Sequence, residues 1–322
     1  MTDEDAAKQV RFKEEVTARL ARVDVARLRL ADTDPRLDVY VQAVCENPLE
    51  HNVWEQAAVW RFIGMVERYG IRREMVKAFF YFYESLKFPG KRGPQCYRLT
   101  PVQCFQFASI FGFWEGGRRV VREAVLFVPR KFSKTTSTAA LAVWDLIFGE
   151  SNAESYTGAN SADQAKKCFD VIRDCVRWLD PWGKRFVVNE QIIKTVNRRR
   201  TAKAQCLTAN ARTKDGLNAS TVIMDEFSQA RDSELLTVLT TSMGVRENPL
   251  TVIITTASDK FEGPFFPMLK GYKSLLMGEA ADDSVFAHLF EPDIGDEEND
   301  PATWHKVHPH MGVTVTEDYY RR

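Results

Sequence analysis

The stretch AVLFVPRKFSKTTSTAALAVWDLIF, residues 124–148, indicates the fold of this chain. It begins with a continuous apolar run, as expected of a strand that is covered on both faces of a sheet. A short basic loop follows, and a Ser/Thr-rich segment then starts a helix. At such a helix start the free backbone N–H groups and the helix dipole favour anions, so the pattern predicts a phosphate-binding loop.

The loop matches the GxxxxGK[ST] pattern only in part. Lys134 and Thr135 match, whereas Val128 and Ser133 replace the two glycines. Lys134 is expected to reach the terminal phosphates of a nucleotide, and the Thr135 hydroxyl is expected to bind Mg²⁺. Taken alone, the segment is equally compatible with a basic turn before a helix.

A second segment, STVIMDEFSQ (220–229), places two carboxylates at the end of an apolar strand. Buried acids are costly unless they bind a cation or face a polar cleft, which disfavours a purely structural role. In a P-loop ATPase the first acid, here Asp225, holds Mg²⁺ through water. The second, Glu226, orients and deprotonates the attacking water.

Two further segments complete the predicted core. The run TVIITTAS (251–258) ends in hydroxyl side chains that can sense the γ-phosphate, and LTPVQCFQF (99–107) carries Gln103, whose amide can donate to and accept from an adenine edge. The order glutamine, phosphate loop, acidic strand and hydroxyl strand predicts an α/β fold of the RecA-like (ASCE) P-loop ATPase class with a mainly parallel central sheet.

Hydrophobic periodicity divides the chain into three regions. Residues 1–95 have helical spacing and are expected to form an N-terminal helical region; residues 96–260 are expected to form the ATPase core. Residues 261–322 lose this periodicity and are expected to form a small lid or linker.

Other elements are expected within the core. The run SYTG (155–158) is a strand, and Ser161 with Gln164 forms a capping box at the start of the next helix. Residues 192–207 are expected to form a hairpin before the acidic strand, with Arg198, Arg199 and Arg200 at its tip. These arginines are predicted either to be solvated or to act as an arginine finger or DNA contact.

Composition excludes several classes of protein. The chain has 44 Lys and Arg against 44 Asp and Glu, so no overall basic field marks a dedicated nucleic-acid binder. The six cysteines lack zinc-site spacing, and no apolar run reaches the length of a membrane span, so a soluble intracellular protein is expected. His305, His308 and His310 crowd together, but a solvated loop is predicted there rather than a metal site.

Three segments together resemble the large terminase subunits of tailed phages, in particular the group that includes HK97-like phages. They are residues 118–136, 214–229 and 248–258, and the similarity extends from about residue 95 to the end. The resemblance implies an adenine-reading residue, Walker A, loop arginine, Walker B, catalytic acid and coupling motif. By this resemblance Gln103 would read adenine, and the Walker A loop would consist of Pro129, Arg130, Lys131, Phe132, Ser133, Lys134, Thr135 and Thr136, with Arg130 as the loop arginine. Asp225 would be the Walker B acid and Glu226 the catalytic acid. The coupling motif would consist of Thr255, Thr256 and Ser258.

The resemblance also implies a function. ATP hydrolysis with Mg²⁺ would power translocation of double-stranded DNA into a procapsid, by a homo-oligomeric ring at the portal protein that also meets a small terminase subunit. The expected location is the host cytoplasm, with no membrane involved. Because large terminases carry a C-terminal nuclease domain that these residues do not supply, an ATPase fragment without nuclease activity is expected.

Two alternatives remain at this stage. A superfamily 2-like helicase or translocase shows the same motif order, but it needs a second RecA-like domain and only 64 residues follow Ser258. A nucleotide-binding assembly subunit without turnover would explain Ser133, where a glycine normally lets the backbone approach the phosphates. The second acid, Glu226, argues against that reading, since a pure binder does not need it.

Overall fold

The structure is a computed structural model that describes residues 3–159, 161–196, 201–208, 216–258 and 262–321. These residues form eleven α-helices and twelve strands. The helices are α1 (Asp3–Leu20), α2 (Pro35–Glu46), α3 (Val53–Tyr69), α4 (Arg73–Ser85), α5 (Pro101–Phe111), α6 (Lys134–Phe148), α7 (Ala162–Leu179), α8 (Glu234–Thr241), α9 (Phe265–Leu276), α10 (Pro301–Val307) and α11 (Glu317–Tyr320). The strands are β1 (Phe88–Gly90), β2 (Gly93–Gln95), β3 (Trp114–Glu115), β4 (Arg118–Arg119), β5 (Glu123–Phe127), β6 (Ala153–Ala159), β7 (Phe186–Val188), β8 (Ile192–Thr195), β9 (Ala202–Thr208), β10 (Thr221–Asp225), β11 (Leu250–Thr255) and β12 (Val285–Leu289).

An eight-stranded sheet organises the molecule, in the order β12-β5-β11-β10-β6-β9-β8-β7. The first six strands are parallel, and β8 and β7 add an antiparallel edge. The central strands β10 and β11 are buried nearly throughout, which explains their continuous apolar sequences. Strand β11 lies between β5 and β10, so the loop after β5 and the acids at the end of β10 meet at one edge of the sheet. The predicted α/β fold with a mainly parallel sheet is confirmed.

The predicted strands of the core occur within a few residues of their expected bounds. The hairpin expected over residues 192–207 is formed by β8 and β9, and β9 also pairs in parallel with β6. Its tip, including Arg198, Arg199 and Arg200, lies outside the described residues. The capping box predicted at Ser161 is only half present: Ser161 accepts from the Gln164 N–H at 3.2 Å, but the Gln164 side chain contacts Gln229 instead.

Residues 261–322, expected to form a lid or linker, contribute more than that to the fold. Strand β12 pairs in parallel with β5 and extends the central sheet. Its sequence, VFAHL, is short and contains a histidine, so the apolar run is interrupted and periodicity alone does not indicate a buried strand.

The N-terminal helices pack directly on this part of the sheet. Phe105 of α5 contacts the rings of Tyr40 on α2, Phe62 on α3 and Phe286 on β12, with centroid distances of 4.9 to 5.8 Å. The helical stripes predicted in residues 1–95 are therefore core faces, and one continuous hydrophobic cluster joins them to the sheet. Within the described residues no helix is both long and apolar enough to cross a membrane.

Candidate nucleotide-binding site

The loop between β5 and α6 has the backbone form of an anion-binding nest. Lys131 has φ 69° and Ser133 has φ 66°, while Arg130, Phe132 and Lys134 between and around them have negative φ. Such an alternation turns successive N–H groups toward one concavity. Ser133 also precedes the first turn of α6, so the positive end of that helix faces the same space.

Ser133 therefore occupies the left-handed conformation that a glycine adopts freely. A left-handed L-residue costs roughly 1–2 kcal/mol, so the surrounding contacts must hold the loop in place. Phe132 supplies one anchor, since its side chain is buried whereas Arg130 and Lys131 are exposed.

This conformation leads to a prediction about Ser133. Ser133→Gly should leave the Kd for ATP within about threefold, because glycine removes the strain but adds backbone entropy of similar size. Ser133→Val should raise the Kd roughly 5- to 30-fold, since a β-branched residue resists positive φ at a cost of about 1–2 kcal/mol. Equilibrium titration with a fluorescent ATP analogue would measure both. Equal affinities for the two variants would contradict the nest geometry.

Lys134, the first residue of α6, forms an ion pair with Glu226, and its Nζ lies 4.0 Å from Oδ1 of Asp225. The sheet brings these residues together because β5 and β10 flank β11 and end at the same edge. All three side chains are largely buried. Two carboxylates face one ammonium group, so the cluster carries a net negative charge and can accept a further cation.

Asp225 shows most directly that the cluster can accept a further cation. Burial raises the pKa of Asp225, with Lys134 opposing and Glu226 reinforcing the shift. Its Oδ1 is buried and has no hydrogen-bond partner among the described residues. The unpartnered carboxylate oxygen of Asp225 and the hydroxyl of Thr135, which lies in the first turn of α6, are hard oxygen ligands of the kind that Mg²⁺ prefers. These residues thus fit a magnesium site.

The end of β11 holds the second acid. Thr256 Oγ1 donates to Oε2 of Glu226 at 3.0 Å, and the Glu226 N–H donates to the Ile254 carbonyl at 2.9 Å. Glu226 itself has φ 53°, so the backbone leaves the strand conformation at this residue. Thr255 accepts from the Ser228 N–H at 2.9 Å, and its carbonyl accepts from the Val128 N–H at 3.0 Å. The hydroxyl strand therefore contacts both the acid and the start of the loop.

Gln103 lies at the start of α5 in a buried position beside α6. Its Oε1 accepts from the N–H of Thr100 at 3.0 Å, and its Nε2 donates to Ser137 Oγ at 3.3 Å. Thr100 and Gln103 therefore form a capping box at the start of α5. The structure places Gln103 next to the first turn of α6; its role toward adenine remains a prediction.

Sequence reasoning missed two residues of this site. His308 and His310, predicted to lie in a solvated loop, are fully buried, and only His305 is exposed. His308 Nε2 lies 3.0 Å from the Arg130 carbonyl, and the His310 ring stacks on Phe132 at a centroid distance of 4.3 Å. The prediction was wrong for these two because their partners lie almost 180 residues away in the chain, where no local pattern reports them. The alternation of the two histidines with Pro309 is the only local signal.

The parallel sheet, the nest at the start of α6 and the acids at the end of β10 define a RecA-like α/β protein of the P-loop class. Within this class, residues 101–273 match the family described as "Terminase large subunit, ATPase domain". That match covers more than half of the chain, which therefore belongs to this family, as the resemblance predicted.

Individual relatives agree with the family assignment. The terminase large subunit of Enterobacteria phage HK97 is 28% identical over 172 residues, which cover 52% of this chain and 33% of that protein. Protein YmfN of Escherichia coli K12 is 32% identical over 114 residues, which cover 35% and 25%. The crystal structure of the HK97 bacteriophage large terminase superposes with a TM-score of 0.63 at 21% identity, covering 78% of this chain and 50% of that one. The chain thus matches half or less of the length of these relatives.

Proposed function

We propose that this chain is the magnesium-dependent ATPase domain of a phage DNA-packaging motor. The observation that carries the proposal is the contact of Lys134 with Glu226 and Asp225 beside a nest-shaped loop at a helix N-terminus. Family membership supports the same reaction.

The loop and Lys134 bind the nucleotide phosphates. Backbone N–H groups of Arg130 to Lys134 line the concavity, and the exposed side chains of Arg130 and Lys131 are available to phosphate oxygens. Lys134 exchanges its ion pair with Glu226 for the more highly charged phosphates. ATP binding thereby frees Glu226 from its cationic partner.

Thr135 and Asp225 would hold Mg²⁺. When bound, the ion supplies positive charge to the phosphate oxygens as negative charge shifts during transfer. Asp225 contributes the buried oxygen that has no other partner among the described residues.

Glu226, once released, acts as the general base. Water attacks the γ-phosphorus, the bond to the β,γ-bridging oxygen breaks, ADP and phosphate form, and the proton of the water passes to Glu226. Thr256 orients the carboxylate through Oε2 and leaves Oε1 for the water. Lys134 and Arg130 neutralise the charge that develops on the phosphates.

The proposed coupling of ATP hydrolysis to DNA movement begins at the end of β11. Thr256 touches the catalytic acid, and Thr255 touches both the segment after Glu226 and the loop, so loss of the γ-phosphate reaches this strand directly. Together with Ser258 these residues form the proposed coupling motif. By analogy with the family, the motion drives double-stranded DNA through a ring of subunits at a procapsid portal, with a small terminase subunit as a further partner. Arg198, Arg199 and Arg200 are candidates for the DNA contact or the arginine finger.

Phosphate release from ATP with Mg²⁺ tests the proposal. Lys134→Ala should lower turnover by at least about 100-fold and weaken ATP binding, because it removes the positive charge nearest the phosphates. Lys77→Ala, which removes an exposed lysine of α4, is the matched control and should keep parental activity. Equal activity of the parent and Lys134→Ala would contradict the assignment. ATP binding without turnover in the parent, with and without double-stranded DNA, would favour an assembly subunit instead.

A further inference from the structure

The segment His308-Pro309-His310 contacts the phosphate loop at Arg130 and Phe132, and both histidines are buried. We call these three residues the histidine strap. The strap follows β12 in the chain and contacts the loop that joins β5 to α6. Neither histidine takes part in the reaction proposed above, which leaves their burial to be explained.

His308 uses both ring nitrogens on backbone groups. Its Nε2 lies 3.0 Å from the Arg130 carbonyl oxygen, and its Nδ1 lies 3.3 Å from the N–H of His310. A carbonyl can only accept and an N–H can only donate, so the proton sits on Nε2 and Nδ1 is the acceptor. Burial lowers the pKa of His308 and keeps the ring neutral, as this arrangement requires. The ring therefore fixes the carbonyl of a loop residue in one direction.

His310 anchors the next part of the loop. Its ring is nearly parallel to Phe132, at an interplanar angle of 20°, and its Nε2 lies 2.8 Å from Thr100 Oγ1. Thr100 belongs to the capping box with Gln103, whose Nε2 reaches Ser137 of α6. The strap, the loop, α5 and α6 thus form a closed set of contacts around the start of α6.

The loop needs this support because it lacks glycine. Lys131 and Ser133 both have positive φ, a conformation that L-residues hold only where the surroundings over-determine it. Arg130 and Phe132, the residues held by the strap, alternate with these two positions. Fixing Arg130 and Phe132 therefore restrains the strained residues on either side.

We propose that His308 and His310 are positioning residues that hold the phosphate loop in its anion-binding form before nucleotide arrives. Neither histidine touches the reacting atoms; both act through the loop backbone. The nucleotide part of this inference rests on the proposed function, whereas the loop-holding part does not.

The first test compares His308→Ala and His308→Gln with His305→Ala as a control at an exposed position. His308→Ala should raise the Kd for ATP roughly 5- to 100-fold, because the Arg130 carbonyl loses its partner. It should change kcat at saturating ATP much less, since the bound nucleotide restores the loop. His308→Gln should recover most of the affinity, because its amide N–H can replace Nε2–H. Parental affinity in His308→Ala would overturn the proposal.

The second test is hydrogen exchange of the loop amides, residues 130–133, without nucleotide. Faster exchange in His308→Ala but not in His305→Ala is expected, and unchanged exchange would overturn the proposal. If the loop loosens as expected but the parent binds no ATP, the proposed function fails and the strap stands. If His308→Ala does not fold, His310→Phe is the variant to measure. It retains the stack on Phe132 but loses the hydrogen bond to Thr100, so the loop amides should exchange at a rate between those of the parent and an unrestrained loop. Exchange at the parental rate would overturn the proposal.

Discussion

Glu226→Gln is expected to lower kcat for ATP hydrolysis by roughly 10²- to 10⁴-fold, the usual contribution of a general base. Glutamine has nearly the same shape and can still bond to Thr256, but it cannot take a proton from water. ATP binding should be retained or tightened, because Lys134 no longer has the Glu226 carboxylate as a competing partner. Single-turnover kinetics and equilibrium ATP titration would measure the two effects separately.

Glu297→Gln, at an exposed position, is the matched control and should keep parental kcat. Unchanged kcat in Glu226→Gln would place the general base elsewhere. Loss of ATP binding in this variant would instead indicate that Glu226 mainly supports the structure of the site. The difference from Lys134→Ala is diagnostic, since that variant should lose binding as well as turnover.

The second large effect concerns stability and pH, and it arises from His288. This residue is fully buried on β12, with Nε2 3.1 Å from the Tyr40 hydroxyl and Nδ1 3.2 Å from Gln106 Nε2. The Tyr40 hydroxyl donates to Glu55 at 2.5 Å. Burial lowers the pKa of His288 to about 4, an effect that Glu55 partly offsets and His51 reinforces.

Because the pKa of His288 is lower in the folded than in the unfolded chain, the unfolded chain binds the proton at a higher pH as the pH decreases. Between pH 6.5 and about 4 the His288 side chain is protonated in the unfolded state and neutral in the folded state. The free energy of unfolding should therefore be highest above pH 6.5 and fall as the pH decreases through this interval, by up to roughly 3 kcal/mol from this residue. Burial likewise lowers the pKa of His310 to about 4, which adds a contribution of the same sign.

Urea unfolding at a series of pH values would measure this dependence. His288→Gln should show a shallower loss of stability between pH 6.5 and 4 than the parent, so the two curves converge at low pH. His305→Gln, with an exposed side chain, should run parallel to the parent. Burial lowers the pKa of His51, but Glu55 and Glu50 together raise it above its usual value, so His51 contributes to the pH dependence in the opposite direction. The difference between variant and parent is therefore the quantity to compare. Parallel curves for His288→Gln would contradict the prediction.

The elements that depend on short-range interactions along the chain could be predicted from the local sequence. The strand, loop and helix around Lys134 follow from an apolar run, a basic turn and a helix start, and the acids of β10 follow from their position at the end of a buried strand. The left-handed backbone of Ser133 was not predictable, because serine normally avoids it and only distant contacts hold it there.

The sequence by itself determined the strands and helices that carry the motifs of the core, the class of fold and the residue types proposed to bind phosphate and magnesium, because backbone hydrogen bonding and hydrophobic periodicity act over short distances along the chain. Only the tertiary structure decided that β11 separates the loop strand from the acidic strand, that β12 completes the sheet beside β5, and that Lys134 pairs with Glu226. It also decided the burial of His308 and His310 in contact with the loop. A polar side chain becomes buried only where distant segments satisfy its hydrogen bonds, and that condition is set by the packing of the whole chain.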